Sequence, residues 1–207
     1  MKPGNIYCVG RNYRLHALEL GNEVPTSPMI FTKPTHALRE TDGGVLTIPH
    51  DRGAVHFELE LVLRIGSSYR TGMPLEQAVD SFTLGLDLTL RDVQSELKAK
   101  GHPWLAAKGF KGSATVGKWL PFTSSEQLIQ GQFKLLRNGE TAQIGQPKDM
   151  IFSFEQLVRY IDEQYGLGEG DLIYTGTPAG VAALNHGDCL EMQWNEQKLG
   201  SCFVEVV

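Results

Sequence analysis

Two glutamates sit two residues apart in VHFELELVLR at positions 55–64, and a lone aspartate, Asp87, sits in the apolar run FTLGLDLTL. Alternation makes the first stretch a strand, with His56, Glu58 and Glu60 on one face and Phe57, Leu59 and Leu61 on the other. Carboxylates at i and i+2 stand about 7 Å apart and repel unless water or a cation lies between them. A solvated strand face meets that need as well as a metal does, and alternation alone does not choose. Asp87 presses harder, because an ionised carboxylate removed from water must pair, protonate or bind a cation. Pairing with Arg91, four residues on, is the plain answer. If the three acids converge, they form an all-oxygen site suited to Mg²⁺ or Mn²⁺ rather than to zinc, which favours His and Cys.

Two further segments carry chemistry. His16 and Glu19 in NYRLHALEL fall at i and i+3, on one helix face. A carboxylate holding one imidazole nitrogen makes the other a better base, although a surface His–Glu pair has the same spacing. In LIYTGTPAGV at 172–181, Gly176, Pro178 and Gly180 shape a tight loop, and Thr175 and Thr177 set hydroxyls beside its amides. That loop is either an anion or carbonyl cradle or a simple strand-ending turn.

The elements that must position these residues are mostly strands. Short runs at NIYCVG, PMIFTK, GVLTIP, ELELVLRIG, FTLGLDLTL, QFKLLRNG, GDLIYTG, CLEMQW and GSCFVEVV are bounded by Gly, Pro or Asn and suit strands. Helices are expected at Tyr13–Leu20, Pro74–Val79, Thr89–Lys100 and Ser153–Gln164, the last capped by Ser153. Strands and helices do not alternate regularly, which favours an α+β, β-rich mixed roll over a doubly wound sheet. There is no GxGxxG or Walker loop to support a nucleotide cofactor.

At 207 residues, with 41% hydrophobic and 21% charged positions, a single domain over 1–207 is expected. Nineteen Lys and Arg against 24 Asp and Glu supply no basic footprint for nucleic acid. Neither a membrane span nor a signal peptide is apparent, so a cytoplasmic location is expected. Cys8, Cys189 and Cys202 are far apart and without CxxC spacing, which reads as three buried thiols.

Taken in order, GRNYRLHALELGNEVP, PMIFTKP, HFELELVLRIG, GLDLTLRDVQSELKAKGHPWLAAKGF, RNGE, DMIFSFEQLVRYI and GDLIYTGTPAGV resemble the fumarylacetoacetate hydrolase family. The likeness is to its short single-domain branch of acylpyruvate hydrolases and of oxaloacetate decarboxylases or tautomerases. The resemblance implies a β-sandwich roll of that family's C-terminal-domain type, a lid segment at about residues 6–25, and a homodimer. It implies Mg²⁺ or Mn²⁺ on Glu58, Glu60 and Asp87, and catalytic roles for His16, Glu19 and Lys108. It implies substrate contacts from Arg11, Lys33, Arg91, Gln94 and Thr177. The implied reaction is cleavage of an acylpyruvate such as acetylpyruvate or fumarylpyruvate to pyruvate and a carboxylate. Oxaloacetate decarboxylation or tautomerisation on the same metal site is the alternative, and a non-catalytic small-ligand-binding protein is a remote one. Two departures are notable: AKGFK stands where relatives read AKSFD, placing Gly109 and Lys111 there, and Leu15 replaces a polar residue before the lid histidine.

Overall fold

The computed structural model describes residues 3–19, 21 and 23–207. In chain order its strands are β1 (Ile6–Gly10), β2 (Met29–Lys33), β3 (Leu38–Glu40), β4 (Asp42–Ile48), β5 (Val55–Phe57), β6 (Leu59–Ile65), β7 (Val79–Leu86) and β8 (Thr89–Leu90). They continue as β9 (Ala114–Val116), β10 (Leu120–Pro121), β11 (Phe133–Arg137), β12 (Glu140–Gly145), β13 (Leu172–Tyr174), β14 (Ala182–Ala183), β15 (Cys189–Trp194) and β16 (Gln197–Val206). The helices are α1 (Arg14–Glu19), α2 (Leu75–Ala78), α3 (Arg91–Ala99), α4 (Leu105–Lys108), α5 (Ser125–Ile129) and α6 (Phe154–Tyr165). The fold is therefore a strand-rich α+β arrangement. No helix among the described residues is long and apolar enough to cross a membrane.

A six-stranded sheet runs β10-β7-β6-β13-β1-β2 and a five-stranded one β12-β11-β15-β16-β4, with smaller sheets β14-β5-β8 and β3-β9 beside them. Leu59, Leu61 and Leu63 of β6, Phe133 and Leu135 of β11, Met192 of β15 and the apolar face of α6 share one core, and Phe82 meets Trp194 edge-on at 5.2 Å between ring centroids. The other face of the six-stranded sheet is covered too, with Cys8, Val62, Leu172 and Tyr174 packing on Ala114 and Val116 of β9. A sheet covered on both faces explains why ELELVLRIG is apolar on either side of its alternation. It also removes the solvated-face alternative, since Glu58 is 4% and Glu60 2% exposed.

Several expected boundaries move. The stretch around Glu58 is two strands, not one, because the β6–β7 ladder ends at Leu59↔Leu86 and pairing resumes between β5 and β8 at His56↔Thr89. The helix expected from Thr89 starts at Arg91, because Thr89 and Leu90 are drawn into that pairing. Leu20, the expected end of the first helix, lies outside the described residues. Ser153 does cap α6, its hydroxyl accepting from the Gln156 amide at 3.3 Å while the Gln156 side chain accepts from the Ser153 amide at 2.8 Å. The three thiols are free, but Cys189 is only half-buried.

Candidate active site

Glu58 and Asp87 occupy the gap where one ladder stops and the next begins, and the Asp87 amide donates to the Glu58 carbonyl at 2.9 Å. That bridge holds two residues 29 positions apart side by side. Glu60 follows on β6, opposite Gly85 of β7. One carboxylate oxygen from each of Glu58, Glu60 and Asp87 lies within 4.8 Å of the others, all three residues buried.

Cations hold this cluster, though not as sequence spacing suggests. Arg91 bonds Glu58 rather than Asp87 and reaches Gln94 Oε1 at 2.6 Å. Lys108 Nζ lies 2.8 Å from Glu58 Oε2 and 2.6 Å from Asp87 Oδ2, over the Phe31 ring at 4.9 Å. Asp87 Oδ1 faces Lys33 Nζ at 2.7 Å. Lys33 also donates to the carbonyls of Leu88 and Lys108. Its side chain is buried, outside the cavity lining, and supports Asp87 from β2.

Charge states follow from these neighbours. Burial pushes the Glu58 carboxyl up, but Lys108, Arg91 and His16 outweigh it and hold it well below the usual range. Burial pulls Lys108 down, and Asp87 and Glu58 more than restore it, so it stays charged. Glu60 goes the other way. Burial, then the charges of Asp87 and Glu58, raise its carboxyl well above the ordinary value, and the Gly176 amide that donates to it at 2.7 Å offsets only part. A buried acid driven toward its neutral form by two others is a group that a cation would ionise. Three buried carboxylate oxygens within 4.8 Å of one another converge closely enough that they could hold one such ion. Each carboxylate oxygen also keeps a second lone pair for a metal. The donor set therefore fits Mg²⁺ or Mn²⁺.

His16, from α1, lines the same cavity. Its Nδ1 faces Glu19 Oε2 at 3.4 Å, and Glu19 accepts from the Gly180 amide at 3.1 Å. Burial lowers the His16 pKa despite the opposing pull of Glu58 and Glu19, leaving a neutral imidazole with Nε2 as the free base. The TGTP loop consequently spends its amides on the chain's own carboxylates, through Gly176 to Glu60 and Gly180 to Glu19. Thr175 extends the pairing to Leu61. Thr177 lines the cavity and accepts from Gln143 at 2.9 Å.

The lining brings together Arg11, His16, Glu58, Glu60, Asp87, Arg91, Gln94, Lys108 and Thr177, and adds Lys98, Trp104 and Phe31. Arg11 has φ 58, a left-handed backbone that costs a non-glycine residue about 1–2 kcal/mol. Gly109 and Lys111 do not line the cavity, and Leu15 is 71% exposed. Sequence reasoning missed Asn12 and Gln143. Asn12 ties the turn after β1 to Phe152 and Thr175 through three hydrogen bonds. Gln143 clamps Leu59, Thr177 and Pro178.

The chain is 43% identical over 185 residues to a mitochondrial oxaloacetate tautomerase of Arabidopsis thaliana, covering 88% of this chain and 82% of that one. It is 39% identical over 199 residues to an oxaloacetate tautomerase of Escherichia coli, covering 94% and 90%. A fumarylpyruvate hydrolase of Pseudomonas aeruginosa, solved in complex with Mn²⁺ and pyruvate, superimposes with a TM-score of 0.87 at 34% identity, covering 98% and 88%. The fumarylacetoacetate hydrolase C-terminal family matches residues 5–207, and with relatives this similar along most of their own length the chain belongs to that family of enzymes.

Proposed function

We propose that the protein interconverts the keto and enol forms of oxaloacetate, with Mg²⁺ or Mn²⁺ held by Glu58, Glu60 and Asp87. The observation that carries the reading is a neutral, carboxylate-oriented His16 opening into the same cavity as three buried acids. Bound there, a divalent ion supplies Lewis-acid stabilisation of an enolate oxygen. His16 Nε2 takes a proton from the carbon between the carbonyl and the distal carboxylate and returns it to the enol oxygen. Glu19 fixes the ring and stabilises its protonated form. Arg91, Gln94 and Thr177 orient the substrate, and Lys108 keeps a positive charge beside the developing oxyanion. No attacking water is required, and two similar proteins carry this activity in their names.

Hydrolysis of acylpyruvates is the second reading, favoured by the likeness to a fumarylpyruvate hydrolase and by the capacity of His16 to deprotonate water. Enol oxaloacetate added to Mn²⁺-loaded protein separates the two. Tautomerisation removes the enol absorbance without releasing pyruvate, whereas fumarylpyruvate or acetylpyruvate would lose its chromophore and yield pyruvate. Enol decay no faster than a metal-only blank would sink the first reading. A homodimer is part of the proposal, and sedimentation equilibrium tests it.

A further inference from the structure

Met29, Phe31 and Trp104 line the catalytic cavity, and the same three line a second, larger hollow whose remaining walls come from β2 and residues 102–105. Side chains that line two cavities stand between them, so these three form a partition one side chain thick. Backbone from both sides seats it. Met29 pairs with Gly10 across the β1–β2 ladder, and a Cβ built on Gly10 would stand 2.9 Å from Met29 Cε and 3.8 Å from Trp104 Cζ3. The glycine leaves the room that both tips fill. Trp104 packs on Phe31 with ring centroids 5.8 Å apart, and Phe31 in turn has Lys108 Nζ 4.9 Å from its centroid. The Trp104 carbonyl accepts from the amides of Ala107 and Lys108 at 2.9 and 3.0 Å. The indole is therefore rooted at the start of α4, the helix that delivers Lys108 to Glu58 and Asp87. The two hollows differ in kind. The catalytic cavity is about 40 Å³ and ringed by acids and cations. The second is about 430 Å³, and no Asp, Glu, Lys or Arg among the described residues lines it.

We propose that Trp104, seated against Met29, limits substrate length: it closes the catalytic cavity on its apolar flank, confines the site to short 2-oxo acids, and bars apolar chains from the hollow behind it. The inference rests on the 2-oxo acid reading above and adds the residue that bounds substrate size. A 2-oxo acid bound through its carboxylate and keto oxygens has one substituent left, the chain on the keto carbon. An apolar chain laid among acids and cations strips them of water without replacing its hydrogen bonds, so a long chain finds matching surface only past Trp104. The indole acts by exclusion, which makes it a specificity-determining residue and not a catalytic one.

The test is calorimetric titration of Mn²⁺-loaded wild type, Trp104→Ala and Met29→Ala with pyruvate, 2-oxohexanoate and 2-oxooctanoate, unbranched acids that share one end and differ in chain length. Wild-type affinity should fall about tenfold from pyruvate to 2-oxooctanoate, the effect of forcing extra methylenes into a filled space. In Trp104→Ala the order should reverse, affinity rising by up to about fourfold for each methylene buried. Met29→Ala should shift the preference the same way by less. Each preference is a ratio within one protein, so a general loss from loosened packing cancels. Wild-type affinity that rises with chain length, or variants that keep the wild-type preference, would overturn the proposal. So would a variant that changes only its oligomeric state in sedimentation, which assigns the hollow to an interface between copies. If Trp104→Ala does not fold, the wild-type series and Met29→Ala still decide. A wild type that binds pyruvate without turning over enol oxaloacetate removes the tautomerase reading, yet the chain-length preference still decides the role of Trp104. A wild type that binds none of the three acids removes both.

Discussion

Replacing Glu60 with Gln isolates what the third carboxylate does. At separations up to 4.8 Å, each of its repulsions with Glu58 and Asp87 is worth about 3 kcal/mol at an effective dielectric of about 20. One amide bond from Gly176 does not offset two such terms, so in metal-free protein the Glu60 carboxyl is driven toward its protonated form. Glutamine then replaces a neutral acid with a neutral amide of the same shape, and metal-free stability should change by less than about 1 kcal/mol. Metal binding should suffer far more. The wild type must expel the Glu60 proton to take an ion, so uptake should release protons below the folded pKa of Glu60. Glu60→Gln should release none and bind Mn²⁺ more than about 100-fold more weakly. Titration calorimetry in buffers of different ionisation enthalpy counts the protons. The linkage has a definite sign: a carboxyl raised above its ordinary 4.5 contributes stability that is complete below that value and is lost as pH rises through the folded pKa. The Tm of metal-free wild type should therefore fall as pH climbs above 4.5 toward the folded pKa, while the variant stays level. Equal Mn²⁺ affinity in the two proteins, or ion binding that releases no more protons from the wild type than from the variant, would refute this account.

Three other outcomes are expected. His16→Ala should lower kcat by about 10²–10⁴ while Mn²⁺ affinity holds; because burial lowers the His16 pKa, the acid limb of the wild-type kcat/KM profile should lie below 6.5, activity falling as pH drops through it. Lys108→Met strands Glu58 and Asp87 without their shared ammonium and should cost metal-free protein about 3–5 kcal/mol in urea denaturation, a loss that Mn²⁺ partly reverses. Gly85→Ala sets a Cβ 2.1 Å from the Thr115 carbonyl oxygen and should cost about 1–3 kcal/mol by overpacking, with Mn²⁺ affinity reduced because Gly85 lies opposite Glu60.

What could be read from the chain follows the range of the interactions involved. Alternation in ELELVLRIG and the cap at Ser153 are local, and both reappear in the fold. Strands such as Leu38–Glu40 and Ala114–Val116 exist because they pair with each other, which no local pattern announces. The same holds in the site. Asp87 stands out by its apolar neighbours, but its partners are Lys33 and Lys108, from elements distant in sequence, while the nearby Arg91 turns to Glu58. Asn12 and Gln143 escape notice because they bind backbone groups far along the chain, and an amide side chain alone says nothing about which carbonyl it will find.

The parallel pairing of β1 with β13, Ile6 against Leu172, has a consequence for biosynthesis. Asn5 and Asp171, bonded beside it, are 166 residues apart, which at about 5–20 residues per second is roughly 8–33 s of translation. Throughout that interval the strand leading to Arg11 and His16 lacks its central neighbour, and Glu60 lacks the Gly176 amide. The pocket closes only when the residues through the TGTP loop have left the ribosome, so a chain interrupted before that loop can carry all three acids and still present no finished site to an ion.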